Sequence, residues 1–121
     1  MRIYLYAILV LGLVFIGNYA GNIYGWYVTL EGYDVFMHII GGFGIGLFAV
    51  ALLESRGLVI TQNKKLVVAA VLVAGLIWEL FETYYGIAGA PVGTKLYYID
   101  TVKDLFNDCL GAWVVAVVTE R

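Results

Sequence analysis

The stretch YIDTVKDLFNDCLGAWVVAVV, Tyr98 to Val118, spaces Asp100, Asp104 and Asp108 four residues apart, with Asn107 beside the last of them. At about 100° per residue these four side chains fall within an arc of about 100° on a helix, and Gly111 sits inside it. Upstream, Asp34 and His38 are four apart and Glu79 and Glu82 three apart, so each pair shares a face of its own helix. Many carboxylates with one imidazole form a set of ligands for a hard cation. Mg²⁺, Mn²⁺ or Ca²⁺ is favoured, and Zn²⁺ is reachable through His38 with two acids. The candidate ligands are Asp34, His38, Glu79, Asp100, Asp104 and Asp108, and His38 and Glu82 are the candidates for a general base.

The elements that must carry these groups are made for hydrocarbon. Apolar residues are 63% of the chain and charged ones 13%, and the mean hydropathy is +0.92, too high for a water-soluble domain of 121 residues. Four stretches are near the ~20 residues a helix needs to cross a bilayer: 3–21, 34–53, 66–85 and 98–118. Without water, helices satisfy their own backbone groups, so the expected fold is all-α, a four-span bundle forming one domain over 1–121. Arg2 before an apolar run resembles the start of a signal peptide, but Asn18 fits poorly at a cleavage site, and the first stretch is read as a retained helix.

Arg2, Arg56, Lys64, Lys65 and Arg121 lie on one side of this path, and Lys95 and Lys103 on the other. That split places both termini in the cytoplasm of a multi-pass cell-membrane protein. Glu31, Asp34, Glu79, Glu82, Asp100, Asp104 and Asp108 then gather at or near the external side. Carboxylates at membrane depth are costly and mark function by default. Two of them about 5 Å apart repel by about 3 kcal/mol at an effective dielectric near 20. A converged cluster therefore holds protons, or is neutralised by Lys103 and a cation; otherwise its members do not converge.

The remaining residues have plainer roles. Asp34 and Asp100 are placed to cap helices at the interface. Tyr19, Tyr24, Tyr27, Tyr33, Tyr84, Tyr85, Tyr97 and Tyr98, with Trp26, form an aromatic belt over the cluster, and Asn18 and Asn22 stand where they could complete its polar ring. Gly42 and Gly46 have the spacing of close helix packing, within a chain or between copies in a homo-oligomer. Cys109 points away from the acidic stripe and, as the one cysteine, forms no disulfide framework. No basic patch invites nucleic acid.

The elements YDVFMHIIGG, IWELFE and YIDTVKDLFNDCLGA resemble the YjdF-like family of small bacterial membrane proteins and, more distantly, the VanZ-like family. The resemblance picks out Asp34, His38, Gly41, Gly42, Trp78, Glu79, Glu82, Asp100, Thr101, Asp104, Asp108, Gly111 and Ala112. It implies a cell-envelope role, since VanZ-like proteins are associated with resistance to glycopeptide-type antibiotics, and it implies no particular reaction.

Three functions fit the residues: a metal-dependent enzyme acting on a phosphate-bearing lipid or polyprenyl carrier, a cation or proton transporter, and a non-catalytic partner with a structural acid network. The apolar inner stretches AVALL, LVVAAVLVAG and WVVAVV oppose a transport path.

Overall fold

A computed structural model describes residues 2–120. The fold is all-helical: α1 (Arg2–Ile23), α2 (Trp26–Thr29), α3 (Tyr33–Ser55), α4 (Ile60–Tyr85) and α5 (Lys95–Val118). By length and composition α1, α3 and α4 are able to cross a membrane. α5 has a comparable length of 24 residues but is interrupted by Asp100, Lys103, Asp104 and Asp108. Arg121, used above to orient the chain, and Met1 lie outside the described residues.

The helices run past the apolar stretches that announce them, because hydropathy marks contact with hydrocarbon and a helix continues into the polar interface. α4 begins at Ile60 rather than near Leu66, carrying Gln62, Lys64 and Lys65 in its first turns. It bends at Asn63 (φ −120°, ψ 18°), whose side-chain amide donates to the Val59 carbonyl at 2.7 Å. α5 begins at Lys95, capped by Thr94, whose hydroxyl accepts from the Tyr97 amide at 3.3 Å. Asp100 is therefore an interior residue of α5 and not its cap. α3 starts after Gly32, which holds the left-handed φ of 79°, so Asp34 sits in the first turn rather than at the cap. The one-turn helix α2 between α1 and α3 has no periodic signal in so short a segment.

α3 and α5 form the most extensive pairing. α1 lies along α3, and α4 lies along both α5 and α3, while the backbones of α1 and α4 make no contact among the described residues. The α3–α5 crossing is backbone against backbone. A Cβ on Gly42 would overlap the Asp108 carbonyl, one on Gly111 would overlap the Ile39 carbonyl, and one on Gly46 would lie 3.3 Å from the Ala112 Cα. Gly42 and Gly46, a candidate surface for self-association, are thus taken up inside the chain. At the opposite end of the bundle the core is side chains: Ala7, Leu47, Val50, Ile60, Val67, Val115 and Ala116. Most of α1 remains exposed, as fits a helix facing lipid.

Candidate functional site

The site is built on the α3–α5 crossing. Asp34 and His38 stand one turn apart on α3, and Asp104 and Asp108 one turn apart on α5, so close backbone approach brings the two pairs face to face. His38 is buried and its two ring nitrogens face different carboxylates. Nδ1 lies 3.0 Å from Asp108 Oδ1, a hydrogen bond in which the ring donates, because a carboxylate only accepts. Nε2 lies 3.5 Å from Asp104 Oδ2 and 3.6 Å from Asp34 Oδ1, beyond hydrogen-bond length. Asp34, His38 and Asp104 each turn one ligand atom inward, all within 4.8 Å of one another. Oxygen and nitrogen ligands at about 2.1 Å from one ion sit about 3.0 to 3.5 Å apart, so small adjustments would seat a cation here.

One lysine ties the acids together. Lys103 Nζ lies 2.9 Å from Asp34 Oδ2, 2.9 Å from Asp100 Oδ1 and 3.6 Å from Asp104 Oδ1. The last distance is too long for a hydrogen bond, and Asp104 Oδ1, on a residue only 2% exposed, has no hydrogen-bond donor. Glu79 on α4 is buried as well. Its Oε2 accepts from the Thr101 hydroxyl at 3.1 Å, and its Oε1 has no donor. Asn107 Nδ2 is a third buried polar atom with no partner. Such atoms are expensive unless something supplies the missing interaction.

A cavity of about 380 Å³ opens between α1, α3 and α4, above the seam where α1 and α4 do not meet. Asp34, His38, Glu82 and Asp108 lie on its wall beside Asn18 and Tyr27. Tyr27 donates to Asn18 Oδ1 at 2.8 Å, and burial, reinforced by Tyr33, holds its phenol above the ordinary value, so the ring stays a donor. Tyr33 donates to the Gly17 carbonyl at 2.6 Å, and a Cβ on Gly21 would meet both tyrosine rings, so the pair forms a lid over the end of α1.

Asp34, His38, Asp104 and Asp108 are thus brought together, and Asp100 joins them through Lys103. Glu79 is buried on the neighbouring helix with Thr101, and Glu82 is partly buried on the cavity wall. Asn18 lines that cavity, whereas Asn22 is exposed and bonds back to Asn18. Glu31 is exposed in the connection, and Cys109 is partly buried. Gly75 is the residue that the pattern of acids leaves out. A Cβ there would lie 2.6 Å from Asp108 Oδ2, so its absence lets α4 close over the carboxylate. The available signal is its position, one turn before Glu79 on the same face.

Over residues 2–121 the chain matches the family DUF2238, described as predicted membrane proteins. It belongs to that family. This is the YjdF-like family that the three elements resemble, and nothing in the match speaks for the VanZ-like one. No curated protein and no solved structure matches the chain. Family and apolar helices together make it a multi-pass membrane protein.

Proposed function

We propose that the chain is a single domain over 1–121 of four spans, 3–21, 34–53, 66–85 and 98–118 extended to the helix ends given above, with both termini cytoplasmic. In the outer half of the bilayer it binds a divalent cation between Asp34, His38 Nε2 and Asp104. The observation that carries this reading is the orientation of His38. Asp108 fixes Nδ1 as donor and leaves Nε2 aimed between two carboxylates, the arrangement by which metal-ligating histidines are held. The all-oxygen remainder favours Mg²⁺, Mn²⁺ or Ca²⁺ over Zn²⁺. Glu79 and Asp100 stand outside this three-residue set as supports, through Thr101 and Lys103.

A cation in that place suits a phosphate group, because it supplies the positive charge that an acidic site lacks. The substrate class is a phosphate-bearing lipid or polyprenyl carrier, and the reaction a hydrolysis or transfer. Glu82, on the cavity wall, takes a proton from the attacking water or alcohol; the new oxygen–phosphorus bond forms as the bond to the leaving group breaks, and the proton held by Glu82 passes to the leaving oxygen, which restores the carboxylate. With Nδ1 on Asp108 and Nε2 on the cation, His38 is a ligand in this scheme and not the base. The partner is membrane lipid, with no nucleic acid.

The grip of Lys103 on Asp34 and Asp100 favours a second reading, a structural acid network neutralised by the ammonium. Transport gains no support, since Leu47, Val50, Val67 and Val115 fill the bundle beyond the site. Phosphate release from a polyprenyl diphosphate or phosphatidic acid in nanodiscs, with Mg²⁺ or Mn²⁺, tests the enzyme reading. Release that depends on the metal and is lost in Glu82→Gln supports it. No release from either lipid, with metal bound, removes it.

A further inference from the structure

We infer that the seam between α1 and α4 is a slot for one hydrocarbon chain of a lipid whose headgroup lies at the Asp34–His38 end of the same cavity. The headgroup placement rests on the proposed cation site; the chain slot does not. α1 and α4 both lean on α3 without meeting, and the walls of the resulting cavity change character along its length. Beside Asp34, His38 and Glu82 it offers charge, and away from them Leu11, Val14, Ile45 and Ile77 offer only hydrocarbon. A cavity of about 380 Å³ falls in the range of small-molecule pockets and is far too large to be a packing defect.

The surroundings decide the occupant. Exposed apolar residues such as Phe15 and Ile77 on the rims of this seam are what a helix presents to lipid. An apolar void beside fluid hydrocarbon forfeits dispersion contacts that an entering chain restores, whereas water gains no partners there. Only an amphiphile satisfies both ends at once, its chain against Val14 and Ile45 and its polar group among the carboxylates. Gly41 shapes the floor: a Cβ there meets nothing closer than Val14 Cγ1 at 4.0 Å, so a larger side chain would enter the slot without backbone overlap.

The test is photolabelling of the full chain in nanodiscs of a phosphatidylglycerol carrying a diazirine on its acyl chain, with labelled positions read by mass spectrometry and bound metal measured on the same sample. Labels concentrated several-fold on residues 11–18 and 74–81, relative to the equally exposed Val102 and Phe106 of α5, are the expected result. Gly41→Leu, or Ala74→Leu if the first variant does not fold, should lower labelling of those segments several-fold and leave Val102 and Phe106 unchanged. Uniform labelling of every exposed face, or labelling indifferent to a folded variant, overturns the slot. Slot labelling that persists in protein without metal supports the slot and counts against the cation site alone.

Discussion

The two ends of this bundle solve the same packing problem in opposite ways. Around Leu47, Val50, Val67 and Val115 the helices interlock through apolar side chains, and the described residues of this core carry no ionisable group. Around Gly42 and Gly111 the side chains vanish, backbones touch, and the ionisable groups His38, Asp104 and Asp108 occupy the ground beside the contact. In hydrocarbon the hydrophobic effect gives helices no reason to associate, so packing and polar bonds must do it. The apolar end relies on the first and the polar end on both. Thin helix faces are the condition for a buried acidic cluster shared by two helices, because only they bring i, i+4 pairs on α3 and α5 within reach of one another.

Breaking the backbone contact should have the largest effect. Gly42→Ala or Gly111→Ala forces a Cβ into a facing carbonyl, and a loss of about 3 kcal/mol or more is expected in thermal unfolding in detergent. Gly12→Ala, at a position where a Cβ meets nothing within 4 Å, should be neutral or slightly stabilising. If the two changes cost alike, the contrast between the ends is false. Next comes Lys103→Met, which strips Asp34, Asp100 and Asp104 of their shared ammonium. The variant should fall in stability without divalent ions and recover about 2.7 kcal/mol at a metal concentration 100 times its Kd. A variant that falls in stability and gains nothing from metal would count against the cation site and favour the lysine network.

Asp108→Asn sharpens the comparison at one atom, because the amide keeps an acceptor for His38 Nδ1 and loses the charge. Metal affinity should drop by about 10- to 100-fold with the fold intact, measured by calorimetry. The smallest effect is expected at the far end, where Lys64 and Glu120 pair at 2.9 Å near the surface. Lys64→Ala should cost under about 1 kcal/mol and leave metal binding unchanged.

The sequence was a good guide wherever one helix alone decides the outcome. Periodicity places Asp34 with His38 and Asp104 with Asp108, and hydropathy finds the cores of α1, α3 and α4. It misled where local chemistry competes. Asp100 looks like a cap only because the apolar stretch starts beside it, while the helix begins five residues earlier at Lys95 behind Thr94. What depends on two helices at once was out of reach. The reach of Lys103 across to Asp34 on α3, the closeness of Gly75 to Asp108 and the seam between α1 and α4 all follow from crossing angles that no single segment encodes. The same holds for dividing the acids into a facing trio and its supports, since every one of them has the right residue type.

The central claim is that Asp34, His38 and Asp104 hold one divalent cation. Purified chain in nanodiscs, loaded with Mn²⁺ and freed of excess ion, should retain one equivalent by elemental analysis, and Asp104→Asn should retain none while unfolding at a similar temperature. An empty wild-type site at millimolar Mn²⁺, Mg²⁺, Ca²⁺ and Zn²⁺, or equal retention by the folded Asp104→Asn variant, would contradict it.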